Sequence, residues 1–105
     1  MAVKELTDKD FKSTISSEEK VVVKYFADWC GACKLIAPKF KRMSDDERFQ
    51  GIVFSETNAE KNEEAREAAG VSNLPYFAVF KNGEFVEGSA TSKIDKVEEL
   101  VGKIA

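Results

Sequence analysis

The chain has 105 residues, enough for one hydrophobic core and too few for two. With 43 % hydrophobic residues, eight of them Phe, and 33 % charged residues, its composition is that of an ordinary globular domain and excludes a disordered chain. The net charge of −3 is scattered along the whole length with no basic block, which argues against nucleic acid as a partner.

In chain order, Thr7-Asp8-Lys9-Asp10 reads as a helix start, with Thr7 as cap and acidic side chains in the first turn. Phe11 and Ile15 follow at helical spacing, so a short helix is expected over 7–16. Lys20 to Ala27 is β-branched and aromatic and too apolar for an exposed strand; it reads as a central strand covered on both faces. Lys24 interrupts that run, which is also too short to cross a bilayer, so no membrane partner is expected. Gly31 to about Phe49 is helical in pattern, with Leu35, Ile36, Phe40 and Met43 on one side and a kink expected at Pro38.

A strand begins at Ile52-Val53-Phe54 and runs to about Thr57. Residues 60–69, rich in Glu and Ala, predict a helix stopped by Gly70. Tyr76 to Phe80 is a further strand, Asn82-Gly83 a hairpin turn, and Glu84 to Glu87 the returning strand. The chain closes with an amphipathic helix carrying Ile94, Val97, Val101 and Ile104 on one face. Strand–helix–strand with a long crossover, then a hairpin and a covering helix, predicts one α/β domain over 1–105: a mixed sheet with helices on both faces.

Two cysteines and no histidine narrow the chemistry. Ser-His-Asp and Cys-His mechanisms need an imidazole, and a closed zinc site needs about four ligands where this chain offers two thiolates. The N-terminus, Met-Ala-Val-Lys-Glu, lacks the layout of a secretory signal, so a cytoplasmic protein is expected. In that compartment a C-x-x-C pair is more often redox chemistry than a staple. Cys30 and Cys33 lie where the buried strand ends and a helix begins. Free N–H groups and the helix dipole favour a thiolate there, and the thiolate is the attacking species. By position, Cys30, expected at an exposed tip, is the nucleophile that forms a mixed disulfide, and Cys33, one turn deeper, the thiol that resolves it. Lys34 adds positive charge beside them. A structural pair, either half a metal site or two core cysteines, is the other reading at this point.

The segment Ala27-Asp28-Trp29-Cys30-Gly31-Ala32-Cys33-Lys34 resembles the active site of the thioredoxin family. The likeness extends over essentially the whole chain, through Pro38, Leu74-Pro75 and Phe80-Lys81-Asn82-Gly83. The resemblance implies a thioredoxin fold, a central mixed sheet of four or five strands flanked by four helices. It implies a monomer that passes electrons from a thioredoxin reductase to protein disulfide substrates through a Cys30–Cys33 disulfide, with neither prosthetic cofactor nor metal. It implies that Pro75 is cis and faces the pair, that the strand backbone at Leu74 and Pro75 pairs with substrate, and that Trp29 is an exposed aromatic contact. Gly31, Ala32 and Lys34 complete the supporting segment.

Three departures from that pattern bear on function. Ala32 stands where the family has Pro, which restores a backbone N–H at the helix start and leaves reductase strength less fixed. Lys24 stands six residues before Cys30, where the family has a buried Asp, and Glu56 stands where that Asp has its Lys partner. The signs are exchanged, as if the ion pair had been kept and reversed. The segment after Gly83 is about three residues short, which leaves Gly88 as a loose match to the family's substrate-facing glycine and predicts a stubby hairpin. Two other functions compete with the disulfide reductase: a glutaredoxin-like, glutathione-linked oxidoreductase, and a partner subunit whose thiols are incidental.

Overall fold

The computed structural model describes residues 3–105. In order, the elements are β1 (Lys4–Glu5), α1 (Phe11–Ser17), β2 (Lys20–Phe26), α2 (Gly31–Ser44), β3 (Val53–Asn58), α3 (Glu63–Ala68), β4 (Tyr76–Lys81), β5 (Glu84–Ala90) and α4 (Ile94–Gly102). The five strands form one mixed sheet in the order β1-β3-β2-β4-β5. β1, β3 and β2 run parallel, and β4 and β5 are antiparallel to their neighbours.

Alternation along the central strand sorts the core into two layers. Val21, Val23 and Tyr25 join Phe11 and Ile15 of α1 and Ala65 of α3 on one face. Val22 joins Ile36, Phe40 and Met43 of α2 and Val97, Leu100 and Val101 of α4 on the other. Lys24 belongs by parity to this second face, where it lies under α2 beside the cysteines. At the far end of β4, Asn82 and Gly83 both take positive φ, 54° and 84°. An Asn-Gly turn supplies that geometry at little steric cost.

Several boundaries differ from the sequence expectation, each for a local reason. α1 begins at Phe11 rather than Thr7, because the Thr7 carbonyl closes a tight turn, accepting from the N–H groups of Asp10 and Phe11 at 3.1 and 2.8 Å. α2 ends at Ser44 rather than Phe49. The Asp46 carboxylate accepts from the Arg48 N–H at 2.9 Å and starts a separate 3-10 turn over Glu47–Phe49, which still buries Phe49. Leu35 is 79 % exposed, not part of the buried stripe. At about 100° per residue it sits roughly a quarter-turn outside the line through Ile36, Phe40 and Met43. β1 is an addition: Lys4 and Glu5 pair with Ser55 and Glu56. The returning strand β5 runs to Ala90 rather than Glu87, so the hairpin is not stubby.

α3 is shorter than expected, and its first turn is capped from far away. Its own N-cap residue, Asn62, makes no capping bond to the helix. Instead the Asp8 carboxylate accepts from the N–H groups of Glu64 and Ala65 at 3.3 and 3.0 Å, while the Asp8 N–H donates to Asn62 Oδ1 at 2.8 Å. Loss of a side-chain cap costs roughly 1 kcal/mol. Asp8→Ala is therefore expected to lower unfolding free energy by about that amount in urea titration, with the slope unchanged. A neutral result would mean that α3 is capped by water.

Candidate active site

The loop leaving β2 turns sharply, the Cys30 N–H donating to the Ala27 carbonyl at 3.1 Å. Cys30 then caps α2 from an extended conformation (φ −84°, ψ 101°), and the Cys33 N–H donates to its Sγ at 3.2 Å. The two cysteines are joined in a disulfide with their Cα atoms 5.3 Å apart. When the pair is reduced, that N–H and the helix N-terminus are already aimed at Cys30 Sγ, where they favour thiolate over thiol.

The surroundings are apolar on one side and open on the other. Cys30 is only 4 % exposed, so it is not the exposed tip that its position suggested. It shares a small cluster with Ala27 and Cys33, with Phe26 and Leu74 packed against it. Trp29 is 67 % exposed beside it. Gly31, Ala32 and Lys34 face solvent along the first turn of α2. The Trp29 loop is tied to the end of β3: Asn58 Nδ2 donates to Asp28 Oδ1 at 3.4 Å, and Lys61 lies 3.6 Å from the same carboxylate.

The Leu74–Pro75 peptide is cis. Leu74 separates two clefts. One, about 260 Å³, is lined by Trp29, Glu60, Arg66 and residues 71–74; the other, about 370 Å³, by Ala32, Leu74, Pro75 and residues 90–93. A larger groove of about 510 Å³, lined by Phe11, Ile15, Phe80 and Phe85, holds neither cysteine and lies toward the Asn82-Gly83 turn at the other end of the sheet.

Lys24 and Glu56 face each other in the parallel β2–β3 register, with Lys24 Nζ 3.1 Å from Glu56 Oε1. The lysine side chain is 5 % exposed and the carboxylate 29 %. Both line a cleft of about 270 Å³ with Cys33, Lys34 and Ala37. The exchanged pair is therefore a real contact, and it borders the deeper cysteine.

Gly88 is placed elsewhere. It sits in the ladder opposite Ala78, and a Cβ there would overlap the Tyr76 ring, which accounts for glycine at this position. The residues facing Pro75 are Thr91, Ser92 and Lys93, which sequence reasoning did not single out. The signal was present but indirect. Counting back from the Asn82-Gly83 turn aligns β5 on β4, and an irregularity at Val79/Phe80 shifts the count by one, so that Ala90 falls opposite Tyr76. The Thr91 N–H then donates to the Pro75 carbonyl at 3.1 Å.

Among the described residues, no group of three or more His, Cys, Asp or Glu is placed to hold a metal ion, and no helix is long and apolar enough to cross a membrane.

Comparison with known proteins agrees with this geometry. The thioredoxin family model matches residues 2–105. The chain is 38 % identical to Thioredoxin-1 of Schizosaccharomyces pombe, over 95 % of this chain and 85 % of the relative. It is 36 % identical to the thioredoxin of Bacillus subtilis over 98 % of each. The solved Plasmodium falciparum thioredoxin superposes with a TM-score of 0.89 at 34 % identity, covering 98 % of this chain and all of that one. With a disulfide-bonded C-x-x-C at the head of α2 and relatives of this kind along its full length, the chain belongs to the thioredoxin family of thiol–disulfide oxidoreductases.

Proposed function

We propose that the protein reduces disulfides of other proteins in two steps, with Cys30 attacking and Cys33 resolving. The Cys30 thiolate attacks one substrate sulfur, and the other leaves as a thiolate that takes up a proton. Cys33, deprotonated, then attacks Cys30 Sγ, releases the second substrate sulfur and closes the Cys30–Cys33 disulfide. Two electrons have passed from the dithiol to the substrate. The observation that carries this reading is the Cys33 N–H aimed at Cys30 Sγ at the start of α2.

Trp29, Leu74 and Pro75 form the contact surface around the disulfide, and the backbone at Leu74–Pro75 is where an extended substrate segment pairs. Lys24 and Glu56 serve Cys33 from below. The ammonium favours its thiolate, and the carboxylate is the nearby base that takes its proton when the mixed disulfide is resolved. The protein works as a cytoplasmic monomer without prosthetic group or metal. A thioredoxin reductase returns it to the dithiol form, which places it in electron transport and cell redox homeostasis.

Insulin reduction, followed by turbidity with dithiothreitol or with NADPH and a thioredoxin reductase, tests the reading. Acceleration well above the dithiothreitol background is expected in the first assay, and NADPH consumption in the second. Rates equal to background would remove the reductase reading. A glutathione-coupled assay run in parallel separates it from a glutaredoxin-like activity, which predicts turnover with glutathione alone.

A further inference from the structure

The two clefts that meet at Leu74 differ in charge. The one beneath Trp29 carries both signs, Glu60 and Arg66, and the Arg66 guanidinium is already engaged, donating to the Val71 carbonyl at 3.2 Å. The one beside Ala32 and Pro75 carries a single charged residue, Lys93, and no carboxylate. Lys93 makes no ion pair among the described residues, whereas Lys96 on the following helix and Lys103 just past its end are paired with Glu99 and Glu87.

The cleft wall is also held in shape. The Thr91 N–H binds the Pro75 carbonyl at 3.1 Å, and Thr91 Oγ1 accepts from the Lys93 N–H at 3.1 Å. Because the Thr91 hydroxyl oxygen is the acceptor, its proton is free to donate outward, as is that of exposed Ser92. An unpaired ammonium and two hydroxyl donors, on a wall fixed to Pro75, form a surface complementary to a carboxylate.

We propose that this cleft selects protein disulfides carrying an acidic side chain beside the target cysteine, on one flank only, and that Lys93 is the specificity-determining residue. The proposal rests on the reading of Cys30–Cys33 as the disulfide-reducing site. The one-sidedness follows from the mixed charge of the opposite cleft, which favours neither sign. An exposed pair of this kind is screened over about 8 Å at physiological ionic strength, so the preference belongs to low and moderate salt.

The test uses chromogenic peptide mixed disulfides with Asp, Asn or Lys placed before or after the cysteine. The readout is the ratio of kcat/KM between peptides, in which a change of overall activity cancels. At low salt, Asp is expected to exceed Lys by about fivefold at one flank and to match it at the other, the ratio collapsing toward unity at high salt. Lys93→Glu is expected to invert the ratio, and Lys93→Gln to level it. Equal rates for Asp and Lys peptides at both flanks, or a ratio unmoved by Lys93→Glu while the Asn peptide is still reduced, would overturn the proposal. Failure to reduce any peptide, Asn included, would overturn the disulfide-reducing reading and this proposal with it.

Discussion

Cys33→Ser is expected to stop turnover and to accumulate a mixed disulfide between Cys30 and the substrate. Both sulfurs are buried, 4 % and 2 % exposed by residue, so exposure does not say which one attacks. The hydrogen bond supports Cys30 in that role. Cys30 Sγ receives the Cys33 N–H at 3.2 Å and stands at the cap position of α2, while Cys33 lies inside the first turn. That geometry favours a thiolate at Cys30, which is the ground for the expected outcome. Resolution by Cys33 is intramolecular, and an external thiol that replaces it lacks that effective concentration. Turnover should fall by about three orders of magnitude or more. Non-reducing electrophoresis and mass spectrometry of the trapped species measure this directly. Cys30→Ser should trap nothing, and a covalent complex through Cys33 in that variant would reverse the two roles.

The second large effect is on stability, at the reversed ion pair. The burial of its two members is unequal. Lys24 is nearly enclosed, whereas the Glu56 carboxylate still reaches water. Removing one partner of a buried pair strands the other, at a cost on the order of 3–5 kcal/mol when the remaining charge has no access to solvent. Glu56→Leu strands the enclosed ammonium, which among the described residues keeps the Phe26 ring 5.6 Å away. It should cost about 3 kcal/mol. Lys24→Met strands a carboxylate that can turn outward, and it should cost clearly less. The double variant should lose much less than the sum of the two single losses, because an apolar pair of similar volume replaces the ions without leaving either alone. Guanidinium unfolding of the four proteins gives the coupling energy. Strictly additive losses would show that each side chain is solvated independently in solution.

The central strand, the helix after the cysteines, the hairpin and the final helix were legible because each carries a strong local pattern. Val21 to Val23 is apolar on both faces, and Asn82-Gly83 permits two successive positive φ values. The cysteine pair was legible for the same reason, its spacing being local. Apart from the local turns at Thr7 and Asp46, most of what could not be read depended on partners distant in the chain. β1 is two residues long and exists only because β3 offers it an edge. The start of α3 is set by Asp8, more than fifty residues earlier. Thr91 reaches Pro75 through a strand irregularity at Val79/Phe80 that no turn residue announces. Leu35 was misplaced by a reading of helical phase one residue too wide.

The parallel pairing of β2 with β3 and the antiparallel pairing of β2 with β4 also bear on how the site comes into being. Lys24 meets Glu56 across one ladder and Phe77 across the other, partners 32 and 53 residues away. Each pairing requires closure of a long loop, whose entropic cost precedes the contacts that offset it. Neither the N-terminal nor the C-terminal half of the chain contains the cysteines, the ion pair and Pro75 together. Competence to exchange disulfides should therefore arrive late during refolding, after helical signal has recovered, and a chain cut between β2 and β4 should regain activity only when its two pieces are recombined.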